Sequence, residues 1–418
     1  MWPRKKLDIG WADLAFGVFQ VAAAQARPSE PAVVGAGWIP PGEALVSLSV
    51  RSGWDLLLSA LRLPRGSEIV VSAVTIHDMV RVIEHHGLVP VPVDVTAERL
   101  EPIADNLERA ITPRTRAILV AHLFGTRVDM APIIELARQN DLLVFEDCAQ
   151  AFVGHDYAGH HESDGALFSF GPIKTATALG GAVVRVRDPA LRCAMAELQR
   201  AYPLQSRWSY CSRLGKYAAF RFLCLPIPYG LLVRCCRALG IDYDHAFSNA
   251  AHSFGSADFF AQIRRQPCVP LTRMLQRRIA TFEARGRRVL RRRTWRGDQL
   301  ARAMAAGMVV GDRNRTHSYW VVPMRVANPA EVLSALRSAG FDATARSSLV
   351  VVPTPNGPPE DETPLAPWLA ETLYLPGCEN MPDREWQRLV SILDEVALPV
   401  EVRPTGEPAA LPGVPVAS

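Results

Sequence analysis

Lysine is nearly missing from this chain. Of its 46 basic residues only four are lysines, Lys5, Lys6, Lys174 and Lys216, so arginine carries the positive charge and any lysine in special surroundings stands out. Metal-ligand spacing is missing too. The eight cysteines (Cys148, Cys193, Cys211, Cys224, Cys235, Cys236, Cys268 and Cys378) are scattered without ligand motifs. In so long a chain that excludes a disulfide framework and points to reduced thiols in the cytoplasm. His155, His160 and His161, with Asp156 and Asp164, match no compact ligand pattern either, so no metal is expected. No run approaches the roughly 20 apolar residues of a membrane span, and Asp8 and Asp13 interrupt the stretch after the basic N-terminus, against a signal peptide.

What remains is an ordinary globular composition, 49% hydrophobic and 21% charged over 418 residues. At roughly 100–200 residues per domain, that length gives two or three domains or one large α/β unit with an appended part. The net charge of +4 is modest. Thirteen arginines against two acids between Arg264 and Arg302 could suggest a nucleic-acid surface, but no recognised motif accompanies them. The reading is therefore a solvated helix face and no nucleic-acid partner.

Residues 1–44 read as an irregular arm broken by Pro28, Pro31, Pro40 and Pro41. From there to residue 194 short valine- and isoleucine-rich runs (EIVVSAV, VPVPVDV, RAILVAHLF, LLVFED, ALFSF, GAVVRV) alternate with amphipathic stretches. That alternation predicts an α/β domain with a mainly parallel sheet covered on both faces. Residues 195–262 break the pattern with clustered aromatics and read as an apolar insertion. A linking helix and a smaller C-terminal α+β domain follow over 263–402, and 403–418 is expected to be a disordered tail.

In open α/β sheets, ligands sit beyond the carboxyl ends of the strands. There LLVFED ends in Asp147, followed by Gln150, ALFSF ends near Ser169, and Lys174 comes five residues later. A carboxylate, a hydroxyl and a lone lysine at adjacent strand ends suit pyridoxal phosphate. The lysine forms the Schiff base, the carboxylate keeps the ring nitrogen protonated, and the serine can bond the phosphate.

From Ser52 to Val186 the segments SGW, EIVVSAVTIHDMVRVIEHHGLVPVPVDV, ITPRTRAILVAHLFGTRVDMAPI, VFEDCAQAFVG and FSFGPIK before GGAVV resemble, in order and spacing, the DegT/DnrJ/StrS sugar aminotransferases. The resemblance implies pyridoxal phosphate fold type I and a homodimer that completes each pocket from the partner. It implies Lys174 as the catalytic lysine, Asp147 at the ring nitrogen, Gln150 on the ring-hydroxyl side and Ser169 at the phosphate. Gly53 and Trp54 would offer backbone N–H groups at a helix N-terminus.

Three positions depart from the family pattern. Trp54 stands where threonine is usual, Ile76 lies near the usual ring-stacking aromatic with His77 and Asp78 beside it, and the cross-subunit asparagine is not recognisable within AQIRRQPCVPL. Arg264 or Arg265 is the expected replacement for that asparagine. His122 matches a family histidine and reads equally as a packed or a catalytic residue.

The function expected is transfer of an amino group from an amino acid donor to a keto-sugar, the nucleotide-linked kind first, as in polysaccharide biosynthesis. The retained lysine argues against the family's dehydratase branch, where histidine replaces it. The alternatives are a non-catalytic or regulatory protein on the same fold, or an aminotransferase for a lipid-like keto substrate. The apolar segment 214–240 is expected either to contact a lipid-like substrate or the inner face of a membrane, or to pack on its own domain or across the dimer.

Overall fold

The computed structural model describes residues 1–4, 7–23, 37–240, 258–355, 366–377, 379 and 381–400. A seven-stranded sheet organises the first half. Its strands are β1 (Ala44–Ser47), β2 (Glu68–Ser72), β4 (Val89–Val93), β5 (Thr115–Ala121), β6 (Leu143–Asp147), β7 (Gly165–Ser169) and β8 (Ala182–Val186), in the order β1-β8-β7-β6-β5-β2-β4. All run parallel except β8, which is antiparallel to both its neighbours. A short strand β3 (Val74–Ile76) leaves this sheet and pairs with β10 (Leu349–Val351). β2 and β8 are buried at every position, as expected of strands covered on both faces.

Helices α2 (Val50–Leu61), α3 (His77–His85), α4 (Ala104–Arg109), α5 (Ala131–Gln139) and α6 (Pro189–Arg200) fill the crossovers and the flank. Ser49 caps α2 by accepting from the Ser52 amide at 3.1 Å, and Asp188 caps α6 from the Ala190 amide at 2.8 Å. Because α6 packs against α2, residues 195–200 belong to the large domain; the expected insertion boundary at 195 cuts this helix.

The described part of the N-terminal region is not an irregular arm. Residues Trp11–Ala23 form helix α1, with Leu14, Gly17 and Val21 buried. Ahead of it Met1 donates to the Pro226 carbonyl and Arg4 pairs with Asp342 at 3.0 Å. Pro28 and Pro31 lie outside the described residues. So do Cys378 and the expected tail 403–418.

After α6 come α7 (Arg207–Leu223) and α8 (Pro226–Ala238), then α9 (Phe259–Ile263), α10 (Val269–Thr281), a π turn (Phe282–Gly286) and α11 (Arg287–Ala303). The arginine run is not one solvated face. Arg293 and Arg296 are buried, and Arg277 and Arg278 reach back to Asp13 at 2.8 and 2.7 Å. Arg292 and Arg296 pair with Asp383. These arginines find their acids far away in sequence and stitch the termini to the linking helices.

The small domain is built from β9 (Pro323–Arg325), α12 (Pro329–Ser338), β11 (Thr372–Tyr374) and α13 (Asp383–Val396). Its core, including Met324, Leu336, Phe341 and Trp386, also takes Leu300 from α11. In the apolar segment HSYWVVPMRV (residues 317–326) only Pro323–Arg325 forms a strand; His317 to Val322 is an irregular crossing toward the large domain.

Candidate active site

Alternation along β6 sets the geometry. Glu146 and Asp147 point to opposite faces because successive side chains in a strand do. Asp147 lies at the carboxyl edge and its carboxyl accepts from the Ala149 amide at 3.0 Å. Burial pushes its pKa up, while that bond and the charges of Lys174 and Arg51 pull the other way. A narrow void lined by Ser72, Thr75, Met79 and Leu119 opens beside it.

Lys174 sits in the turn after β7. Its side chain is half-buried, and its Nζ lies 4.2 Å from the centroid of the Trp320 ring. Burial pushes the amine down to about 8; the Asp147 carboxylate opposes that shift and the Arg51 guanidinium adds to it. A half-buried amine and a buried carboxylate within electrostatic reach of each other, with opposite pKa shifts, are what acid–base chemistry near neutral pH needs.

The lysine turn is held from every side. The Trp320 indole donates to the Ile173 carbonyl at 3.0 Å, the Tyr210 hydroxyl to Ala178 at 2.8 Å and Arg278 to Thr177 at 3.1 Å. The Ala176 amide donates to Asp8 at 2.6 Å, at a position where φ is +53°. An alanine in that left-handed region is a strained conformation, and these bonds hold it. Sequence reading missed Trp320, Tyr210, Arg278 and Asp8. It also missed Arg51, which pairs with Asp78 at 2.5 Å across the start of α2 and α3.

Of the other expected residues, Ser169 ends β7 half-buried, with its Oγ accepting a long 3.4 Å bond from the Gly171 amide, so the hydroxyl hydrogen is left to donate. Gln150 Oε1 accepts from the Phe124 amide at 2.6 Å, which fixes the side chain and leaves its NH2 for another acceptor. Ile76 is half-buried at the end of β3 and His77 is exposed.

The Gly53 amide does not have the expected role. Helix α2 begins at Val50, so the Gly53 amide is already bonded to the Ser49 carbonyl at 3.0 Å. Gly53 serves packing instead. A Cβ there would come within 2.5 Å of Val184 on β8 and 3.1 Å of Ser47. The Trp54 side chain is fully buried in the core, edge-on to Phe145 at 5.8 Å.

Arg264 also has another task. It forms a two-pronged pair with the buried Asp55, at 2.9 Å on both oxygens, and Asp55 bonds His86 at 3.1 Å as well. Releasing Arg264 to a ligand would strand a buried carboxylate. Arg265 is tied to its own helix through the Ala261 carbonyl.

His122 reads as a packed residue. Its Nδ1 accepts from the Val128 amide at 3.0 Å, so Nε2 carries the proton that bonds Glu146 at 2.8 Å. Glu146 and Cys148 lie on the same face as His122, close enough to suggest a metal cluster. Glu146, however, also accepts from Tyr157, Ser163 and the His160 amide, and burial raises the Cys148 thiol well above its ordinary value. This is a hydrogen-bonded knot beneath the sheet.

Residues 42–208 match the model of the DegT/DnrJ/EryC1/StrS aminotransferase family. A GDP-perosamine synthase of Escherichia coli O157:H7 is 38% identical over 143 residues, 33% of this chain and 39% of that protein. The erythromycin biosynthesis sensory transduction protein EryC1 of Saccharopolyspora erythraea is 37% identical over 182 residues, 38% of this chain and 49% of that one. The chain thus spans half or less of the length of the curated relatives it matches. The fold extends further. The aminotransferase TlmJ from Streptoalloteichus hindustanus superposes with a TM-score of 0.67 at 19% identity, covering 94% of this chain and 98% of that structure.

Proposed function

We propose that this chain, which belongs through residues 42–208 to the DegT/DnrJ/EryC1/StrS aminotransferase family, is a pyridoxal phosphate-dependent aminotransferase. It moves an amino group from an amino acid to a keto-sugar and releases a 2-oxo acid and an amino-sugar. The observation that carries this reading is Lys174, an amine depressed to about 8 and set against the buried Asp147 at adjacent strand ends.

The residues fit the cofactor. Asp147 has backbone N–H support on one side only and a raised pKa, and a ring N–H would give it the cationic partner that burial withholds. Ser169 retains a free hydroxyl hydrogen for a phosphate, and Gln150 retains its NH2 for a ring oxygen. When bound, the cofactor supplies a conjugated ring that takes up the electron pair left as a proton leaves carbon.

Lys174 is the base that accepts that proton and returns it. An amine near 8 is ready for the work, because a sizeable share is neutral at cellular pH while its conjugate acid remains a good donor. The Trp320 face beside Nζ orients the amine and excludes water. The name of the GDP-perosamine synthase supports a nucleotide-linked sugar as acceptor, and the family resemblance supports a homodimer.

The test is production of 2-oxoglutarate from L-glutamate by purified protein with added cofactor, in a single-turnover assay that needs no acceptor. Stoichiometric release, lost in Lys174→Ala, supports the enzyme. No release with any common amino donor, together with a cellular phenotype that Lys174→Ala leaves unchanged, overturns it in favour of a non-catalytic protein on this fold.

A further inference from the structure

Beyond that chemistry, we propose that the elbow between α7 and α8 is a docking surface for an anionic lipid bilayer. The segment is two-sided. Tyr210, Leu214, Tyr217 and Phe220 of α7 and Tyr229 and Val233 of α8 face the protein, so the expectation of packing on the chain's own domain holds for that side. On the other side Phe222, Leu225, Ile227, Leu231 and Leu239 are exposed, Ile227 by 85% and Leu239 by 73%. Trp11 of α1 joins them, lying beneath the Arg221 guanidinium at 5.6 Å. Of the thirteen large hydrophobic side chains exposed among the described residues, nine lie on α1, α7, α8 and their ends. Such a concentration marks an interaction surface rather than the scatter a soluble face shows.

Charge selects the partner. From residue 198 to residue 241 the sequence holds no acidic residue and seven basic ones, four of them (Lys216, Arg221, Arg234 and Arg237) around the elbow. An apolar face bordered by arginine and lysine, with no acid in its own stretch of sequence and flanked by tryptophan, is the composition of a helix lying in the bilayer interface. Anionic headgroups complement it, at roughly 1 kcal/mol for each basic residue near the surface. No single described helix is long and apolar enough to cross. Helix α8 has 13 residues, about 20 Å at 1.5 Å each, against a hydrocarbon core of about 30 Å, and α7 meets it at 90°.

The experiment is flotation of the full chain with phosphatidylcholine vesicles, with or without about 30% phosphatidylglycerol. The wild type is expected to float with the anionic vesicles, at least tenfold less with neutral ones, and less as salt rises. Ile227→Glu with Leu231→Glu is expected to lower binding at least tenfold while leaving circular dichroism and thermal midpoint unchanged, because both side chains are exposed. Lys216→Gln with Arg234→Gln, both exposed, is expected to lower anionic binding by about fivefold per charge. A wild type that stays at the bottom with anionic vesicles overturns the proposal. Binding unaffected by either double substitution also overturns it. So does loss of a dimer in Ile227→Glu/Leu231→Glu by sedimentation with vesicle binding intact, which would assign the face to a second copy of the chain.

Discussion

The depressed Lys174 amine can be measured before any substrate is known. At pH 7.5 an amine with its pKa at about 8 is neutral in about a quarter of molecules, whereas an ordinary lysine at 10.4 is neutral in about one part in a thousand. Lys174 is therefore expected to react with a trace acylating reagent about 200-fold faster than its pH-independent nucleophilicity would give at an ordinary pKa. The assay is competitive labelling of cofactor-free protein between about pH 6 and pH 11, read by peptide mass spectrometry, with Lys216 as internal control.

The signs can be separated by mutation. Arg51 lowers the Lys174 pKa and Asp147 raises it, so Arg51→Gln moves the labelling midpoint up and Asp147→Asn moves it down. Stability follows the same sign. Between about 8 and 10.4 the unfolded chain binds the proton more tightly, so folding stability of the cofactor-free protein rises with pH across that window and is lowest below it. Lys174→Met removes that penalty and is expected to stabilise the cofactor-free protein at pH 7 by up to about 3 kcal/mol, read by urea denaturation. A labelling midpoint near 10, or Arg51→Gln shifting it down, would show that Lys174 is an ordinary solvated amine.

Three further outcomes are expected from the geometry around the site. Gly53→Ala sets a methyl against Val184 and is expected to cost about 1–3 kcal/mol, while Trp54→Thr, which installs the residue usual in the family, empties a core site and costs about 3–5 kcal/mol without tightening cofactor binding; denaturation and cofactor titration read both. Arg264→Ala strands the buried Asp55 carboxylate and costs about 3–5 kcal/mol at pH 7. The Asp55 carboxyl is held below its ordinary value by Arg264 and His86 despite opposing burial, so its contribution is present above about pH 4 and is lost as pH falls through its folded pKa, as an acid-unfolding series will show. Trp320→Phe keeps the ring over Lys174 but loses the bond to Ile173. It is expected to slow the glutamate half-reaction by about tenfold with thermal stability almost unchanged.

The sheet was legible in the sequence because its strands carry their signal locally. EIVVSAV and RAILVAHLF are apolar on both faces only because helices cover both faces. The placement of Asp147, Ser169 and Lys174 at neighbouring strand ends was legible for a related reason: a polar residue just past an apolar run lies at the carboxyl edge of the sheet. The supports of Lys174 were not legible. Asp8, Tyr210, Arg278 and Trp320 reach its turn across separations of 168, 32, 101 and 147 residues, and such contacts leave no periodicity. The arginine run was misread because its neutralising acids, Asp8, Asp13 and Asp383, lie outside any window around it. The burial of the Trp54 side chain was legible as well. Trp54, Leu57, Leu58 and Leu61 fall at i, i+3, i+4 and i+7, the inward stripe of a helix, and that pattern outweighs the motif it interrupts.

Whether Lys174 is the amine that carries the cofactor can be read by covalent trapping. The protein is incubated with pyridoxal phosphate, reduced with borohydride, digested and mapped by mass spectrometry, with and without prior addition of L-glutamate. One modified residue, Lys174, is expected at near-stoichiometric yield, with the yield falling sharply when glutamate is added first. Modification spread over Lys5, Lys6 and Lys216 as readily as Lys174, or absent from Lys174, would contradict that role.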